Sequence, residues 1–122
     1  MIDSELLVAA ADAAGIRHTG EVFALGLKLM DGPHNYWNPL GDDGVAFRLA
    51  VKLGLAVSVE YQVGSTNVLW GPPMGCVRED HGTDPNAATR RAIVRAAAAM
   101  AERAAQTGGA APSNNNTKGP TP

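Results

Sequence analysis

The stretch HNYWNPLGDDG, residues 34–44, places two large aromatic side chains and a turn directly before an apolar segment. Asn38 and Pro39 are typical turn residues, because Asn bonds to nearby backbone groups and Pro fixes φ. Asp42 or Asp43 can accept a hydrogen bond from the free amides of a first helical turn. The stretch therefore predicts the exit of a strand, a turn and a helix cap, in that order.

The segment that follows predicts a central helix, which runs to Leu53 before Gly54 ends it. It is apolar on nearly all sides, and only Gly44, Arg48 and Lys52 form a polar line. A helix of this kind is covered on more than one side. We therefore expect a sheet on one side of it and another helix or a partner subunit on another.

Strand patterns precede and follow this helix in the sequence. Residues 21–30 alternate between an apolar and a second face, which predicts one half-buried strand. Residues 55–62 give the clearest alternation, and residues 68–70 can return as their antiparallel partner after a turn. Because Gly and Pro at 71–73 interrupt that return, residues 74–79 are either the same strand after a break or a separate edge strand.

Two further helices are predicted, over residues 2–15 and from Pro85 to about Gln106. Their candidate N-caps are Asp3 or Ser4 for the first and Thr83 or Asp84 for the second. This order of elements predicts an α+β fold in which a small antiparallel sheet of three to four strands is covered by helices, an α/β/α sandwich. We expect one domain over residues 1–106. Residues 107–122 hold no large apolar side chain, so they predict a disordered tail.

Composition excludes some classes of function. Ten basic and twelve acidic residues give a net charge of -2, which argues against a protein that grips nucleic acid through its phosphates. No run of residues is long and apolar enough for a membrane span, and none resembles a signal peptide. The single Cys76 cannot form an internal disulfide and is interpreted as a small apolar filler of a strand. These features predict a cytoplasmic protein without a membrane or nucleic-acid partner.

Three segments together resemble the phage ABA sandwich domain family of small bacteriophage and prophage proteins. They are residues 37–44 with the sequence WNPLGDDG, the central-helix residues 48–50, and the sequence AATRRAIVRA over residues 87–96. The resemblance covers roughly residues 5 to 103. It implies a helix/sheet/helix sandwich and a place in the cytosol of a host bacterium, and it implies no established activity.

The candidate site combines aromatic, amide and basic side chains. Aromatic rings on a loop can stack on a planar ligand, while amides and cations bind its polar or anionic edge. The candidate ligand-binding residues are His34, Asn35, Tyr36, Trp37, Asn38, Arg48, Lys52, Arg90 and Arg91. The structural alternative is that Trp37 packs over the sheet and that the cations pair with acidic residues.

Three functions fit this inventory. The first is a phage accessory protein without catalysis, in which an oligomer binds a small anionic, nucleotide-like ligand and sequesters a host defence signal. The alternative is a protein-interaction module that binds and modulates a host protein. The third is a small hydrolase or metal-dependent enzyme using His34 or His81, but the sequence has no metal-ligand spacing, phosphate loop or nucleophile elbow. We therefore expect no catalytic residue, no metal and no cofactor.

Overall fold

The computed structural model describes residues 1–107, which form an α+β fold with three helices and two antiparallel three-stranded sheets. The elements are α1 (Asp3–Ala13), β1 (His18–Phe23), β2 (Gly26–Leu29), β3 (Tyr36–Trp37), α2 (Asp43–Leu53), β4 (Ala56–Glu60), β5 (Ser65–Trp70), β6 (Gly75–Asp80) and α3 (Pro85–Thr107). The predicted fold class is confirmed, with the strands divided between two small sheets. Apart from Thr107, the tail predicted over residues 107–122 lies outside the described residues.

The first sheet has the order β1-β2-β3 and corrects the prediction of one strand over residues 21–30. β1 and β2 form a hairpin in which Phe23 lies opposite Gly26, so Ala24 and Leu25 make a two-residue turn. Leu25, expected on the apolar face of a strand, is therefore 68% exposed at the turn. Leu27 is fully buried and anchors this sheet on the core.

The second sheet has the order β4-β5-β6, and both of its connections are turns. β5 lies in the centre, paired with β4 from Ala56 opposite Leu69 to Glu60 opposite Ser65. Residues 75–80 form the third strand, which decides between the two alternatives for this segment in favour of a separate edge strand. Cys76 is exposed on this strand, so its interpretation as a filler is wrong.

α3 lies at the centre of the packing, because it contacts α1, α2, β5 and β6. Its buried side chains are mostly small, which lets these elements approach its backbone closely, and the largest are Ile93 and Val94. The core is accordingly built from Leu, Val and Ala, with Trp37 and Trp70 packed against it. Among residues 1–107, no helix combines the length and hydropathy needed to cross a membrane.

The N-terminal caps follow the predicted chemistry in two of the three helices. The Val45 N–H donates to Asp42 Oδ1 at 2.9 Å, and α2 ends at Gly54, whose φ of 66° is left-handed. At α3 the Ala87 N–H donates to Asp84 Oδ1 at 3.1 Å. The prediction for α1 is wrong, because its N-cap position is held by an apolar residue. There the Ile2 N–H donates to Glu5 Oε1 at 3.2 Å instead.

Candidate functional site

The aromatic stretch of the sequence forms the edge of the first sheet. Tyr36 and Trp37 make up β3 and pair with Lys28 and Leu27 of β2. Tyr36 packs edge-on against the ring of Phe23, with the ring centroids 6.0 Å apart. Because successive side chains of a strand point to opposite faces, the side chains of Tyr36 and Trp37 lie on opposite faces of the first sheet.

Trp37 lies where the two hydrophobic clusters of the core meet, and it is half-buried. Its remaining surface lines a cleft of about 220 Å³, which we name the Trp37 cleft. The cleft lies between the end of α1, β3 and α2, and its other lining residues are Ala14, Ile16, Val45, Arg48, Leu49 and Lys52. Trp37 therefore belongs both to the core and to a concave surface.

Arg48 and Lys52 are the charged residues of this cleft. They lie one helical turn apart on α2, and both are exposed. Within residues 1–107, neither of them forms an ion pair with a carboxylate. The structure thus brings two cations without an ion pair in the described residues and one indole ring to a single apolar-floored cleft.

The other candidate residues of the loop lie outside this cleft. His34 and Asn35 are exposed, and the Asn35 side chain donates to the Asp31 carbonyl at 3.3 Å. Asn38 closes the turn before α2, where its carbonyl accepts from the Gly41 N–H at 3.2 Å. Asn38 therefore lies in the predicted turn, but this bond uses its main-chain carbonyl and not the side chain that its residue type offers.

The two arginines of α3 are engaged in holding elements together. Arg90 Nε donates to the Leu40 carbonyl at 2.8 Å, and Arg90 Nη1 lies 2.6 Å from Asp43 Oδ1. Arg91 Nη2 lies 2.7 Å from Asp3 Oδ1 and so connects α3 to α1. Neither arginine lines the Trp37 cleft, so the nine candidate residues do not form one site.

Replacing Arg90 by alanine is expected to lower the free energy of unfolding by about 1.5–3 kcal/mol, the range for hydrogen bonds to charged groups. The reason is that the Arg90 side chain is 19% exposed and its loss leaves the Leu40 carbonyl without this donor. Arg91→Ala is the matched control. Its ion pair is more exposed, so we expect about 0–1 kcal/mol. Urea unfolding of both variants measures the difference, and equal losses would contradict this role of Arg90.

A buried polar chain joins three elements beside the second sheet. His81 Nε2 lies 2.8 Å from Thr66 Oγ1, which lies 2.8 Å from Thr89 Oγ1 of α3. Thr66 is fully buried and His81 is 7% exposed. These hydroxyls and the imidazole satisfy one another inside the protein, and Thr66 cannot meet a substrate there.

The acidic residues around His81 do not assemble with it. Glu79 pairs with Arg95 on the helix side of the sheet, and Asp80 lies 3.3 Å from Arg78. Within residues 1–107, no three His, Cys, Asp or Glu side chains lie together in a way that could hold a metal ion. The loop-like sequence around His81 gave no signal for its bond to Thr66.

A second concave surface lies on the other side of α2, and we name it the α2/β4 groove. It has a volume of about 570 Å³ and lies between α2, the first turns of α3 and β4. Its apolar rim is formed by Phe47 and Val51 of α2 and by Val57 and Val59 of β4. The sequence predicted that α2 is covered on more than one side, whereas Phe47 and Val51 on its groove side are 69% and 64% exposed in the described residues.

No protein-family model, no curated protein and no solved structure matches this chain. The resemblance to the phage ABA sandwich domain family therefore stays a prediction. Function has to be argued from the Trp37 cleft, the buried polar chain and the α2/β4 groove.

Proposed function

We propose that this chain is a non-catalytic binding protein that holds a small anionic, nucleotide-like ligand at the Trp37 cleft. The observation that carries the proposal is the pair of cations, Arg48 and Lys52, which lack an ion pair within residues 1–107 and lie beside a half-buried indole. Two like charges one helical turn apart repel each other, so a bound anion relieves a repulsion already present in α2.

The three side chains have complementary roles toward such a ligand. Guanidinium groups bind phosphate oxygens in a bidentate manner, whereas an ammonium group acts as a point charge. Trp37 offers an aromatic face for a planar ring. Because the cleft of about 220 Å³ is smaller than the usual 300–1,000 Å³ of ligand pockets, it accommodates one phosphate group or one ring, and the rest of the ligand lies outside.

The proposed ligand site is therefore narrower than the set of sequence candidates. It keeps Trp37, Arg48 and Lys52, whereas the others lie in the exposed loop, in β3, in the turn before α2 or in ion pairs. The wider setting that we propose is a phage or prophage protein that removes a signal nucleotide in the host cytosol. The support for that setting is the resemblance of the sequence segments.

Binding of adenosine monophosphate, cyclic dinucleotides and ADP-ribose is tested by titration calorimetry and thermal shift. For any ligand that stabilises the unmodified chain, we expect Arg48→Ala and Lys52→Ala each to weaken the affinity roughly ten- to hundredfold. This is the effect of losing one charge-assisted hydrogen bond. Arg17→Ala removes an exposed cation elsewhere and is the control, for which we expect unchanged binding. Absence of a shift with every ligand, or equal binding by Arg48→Ala, would remove the basis of the proposal.

A protein-interaction module is the second candidate function, and the observation that favours it is the α2/β4 groove. Large contiguous apolar patches on a protein surface mark protein-interaction sites, whereas single exposed apolar residues do not. Capture of one stoichiometric protein from a bacterial lysate by the unmodified chain, and its loss in Phe47→Ser, would support a host partner. Equal capture by both proteins would place the contact elsewhere.

A further inference from the structure

We propose that a second copy of this chain occupies the α2/β4 groove, with the two β4 strands paired antiparallel about Ser58. The inference concerns a different surface from the Trp37 cleft and does not depend on its ligand. It shares with the second candidate function the observation of an exposed apolar groove, but it assigns that groove to a second copy of this chain and not to a host protein.

β4 is an edge strand with an uncovered side. It pairs only with β5 in the described residues, and all five of its residues are exposed. Its register with β5 runs without a bulge from Ala56 to Glu60. An edge of this kind presents unpaired amide and carbonyl groups that can pair with another strand.

The two edge strands of the second sheet differ in how well their sequences protect them against pairing with another strand. β6 carries three consecutive charged residues, Arg78, Glu79 and Asp80, which are typical of an edge that avoids pairing. β4 has the sequence AVSVE, in which Glu60 is the only charged residue and stands at its end. The sequence thus discourages pairing at β6 and leaves it open at β4.

The groove face of β4 is apolar and self-complementary. Val57 and Val59 line the groove, and their partners on β5 are Val68 and Thr66, which are buried under α3. An antiparallel pair centred on Ser58 places Val57 opposite Val59 of the second copy and Val59 opposite its Val57. Directly opposite residues of an antiparallel pair lie on the same face, so the four valines meet on the groove side.

Charges agree with this register. Glu60 comes to lie opposite Ala56 of the second copy, so that no like charges face each other across the strands. A two-fold axis through the Ser58 pair, perpendicular to the sheet, keeps the helices of both copies on one side of a continuous six-stranded sheet. Phe47 and Val51 of the two copies then close over the joined strands, and the interface is isologous.

Two exposed aromatic side chains supply part of the surface that a dimer would bury. Phe47 is 69% exposed, and Tyr61, directly after β4, is 81% exposed. Since each such side chain buries about 150–250 Å², these two supply roughly 200–400 Å² of the ~800 Å² per partner in a standard interface. The rest is available from the edge backbone and the exposed valines Val51, Val57, Val59 and Val63.

The first experiment measures mass by light scattering after gel filtration at micromolar concentration. We expect the unmodified chain to show twice its mass of 12.6 kDa. Val59→Lys and Phe47→Ser should halve that mass without changing the circular dichroism spectrum, because both side chains are more than half exposed in the protomer. Leu25→Lys changes an equally exposed apolar residue on the other sheet and should remain dimeric.

The second experiment tests the register by disulfide formation in a Cys76→Ser background. Ser58→Cys should cross-link to itself under mild oxidation, since opposite residues of a strand pair lie within disulfide reach. Glu60→Cys alone should not cross-link, but a mixture of Glu60→Cys and Ala56→Cys should. Arg78→Cys on β6 should remain monomeric on a non-reducing gel.

Several outcomes would overturn the inference. They are a monomeric unmodified chain, a dimer that survives Val59→Lys and Phe47→Ser, and cross-linking of Arg78→Cys in place of Ser58→Cys. A monomer that captures a lysate protein through Phe47 would overturn the dimer while supporting the second candidate function. A monomer for which Phe47→Ser changes no capture would remove both.

Discussion

Replacing Gly26 by alanine is expected to lower the free energy of unfolding by about 2–5 kcal/mol, which is a large part of the 5–15 kcal/mol typical of a small domain. Gly26 has a φ of +124°, which L side chains rarely adopt. A methyl group there would stand 2.6 Å from the Trp37 carbonyl oxygen and 2.8 Å from Asn38 Cβ. Because the obstacle at Trp37 is backbone, β3 itself has to move.

Gly20→Ala is the matched control for this prediction. Gly20 also has a positive φ, +83°, but a methyl group there has nothing within 4 Å. We expect only the conformational cost, about 1–2 kcal/mol. Urea unfolding of both variants in the Val59→Lys background separates this effect from subunit association. Equal losses at the two glycines would show that the close approach to β3 is unimportant.

Thr66→Val is expected to lower the free energy of unfolding by about 2–4 kcal/mol, although valine has nearly the same shape as threonine. The Thr66 hydroxyl is the group that contacts both His81 and Thr89. Its removal leaves the buried imidazole without this partner, and an unsatisfied buried polar group costs about 1–3 kcal/mol. Loss of the bond to Thr89 adds about 0.5–1.5 kcal/mol.

Thr66→Ser is the control, since it keeps the hydroxyl and removes one methyl group. We expect a loss of about 1 kcal/mol, the value for one buried carbon group. Thermal unfolding of Thr66→Val and Thr66→Ser at one protein concentration compares the two. A serine variant as unstable as the valine variant would mean that packing, and not hydrogen bonding, fixes this position.

Local chemistry predicted much of the fold. Asp42 and Gly54 end α2 as expected, because caps depend on residues close in sequence. The strand over residues 21–30 was wrong because Ala24 and Leu25 are not typical turn residues, and the apolar alternation continues through them. The conformation that marks the hairpin belongs to Gly26, which the pattern placed within the strand.

The candidate site was predictable only in part. Trp37, Arg48 and Lys52 meet because α2 follows β3 closely and its polar line can be read from helical spacing. Arg90 could not be placed in this way, since its partner Leu40 is 50 residues distant and no local pattern reports such a contact. The same holds for Thr66, His81 and Thr89, which only the assembled sheet and α3 bring together.

The unequal edges of the second sheet also determine how many chains an assembly contains. A sheet with two adhesive edges adds molecules without limit and gives filaments, whereas one adhesive edge related to itself by a two-fold axis is used up by a single partner. With Arg78, Glu79 and Asp80 on β6, the six-stranded sheet of the proposed dimer ends in charge on both sides. Stoichiometry and solubility would then be set by the strand that does not bind, and neutralising β6 should convert a closed pair into a growing polymer.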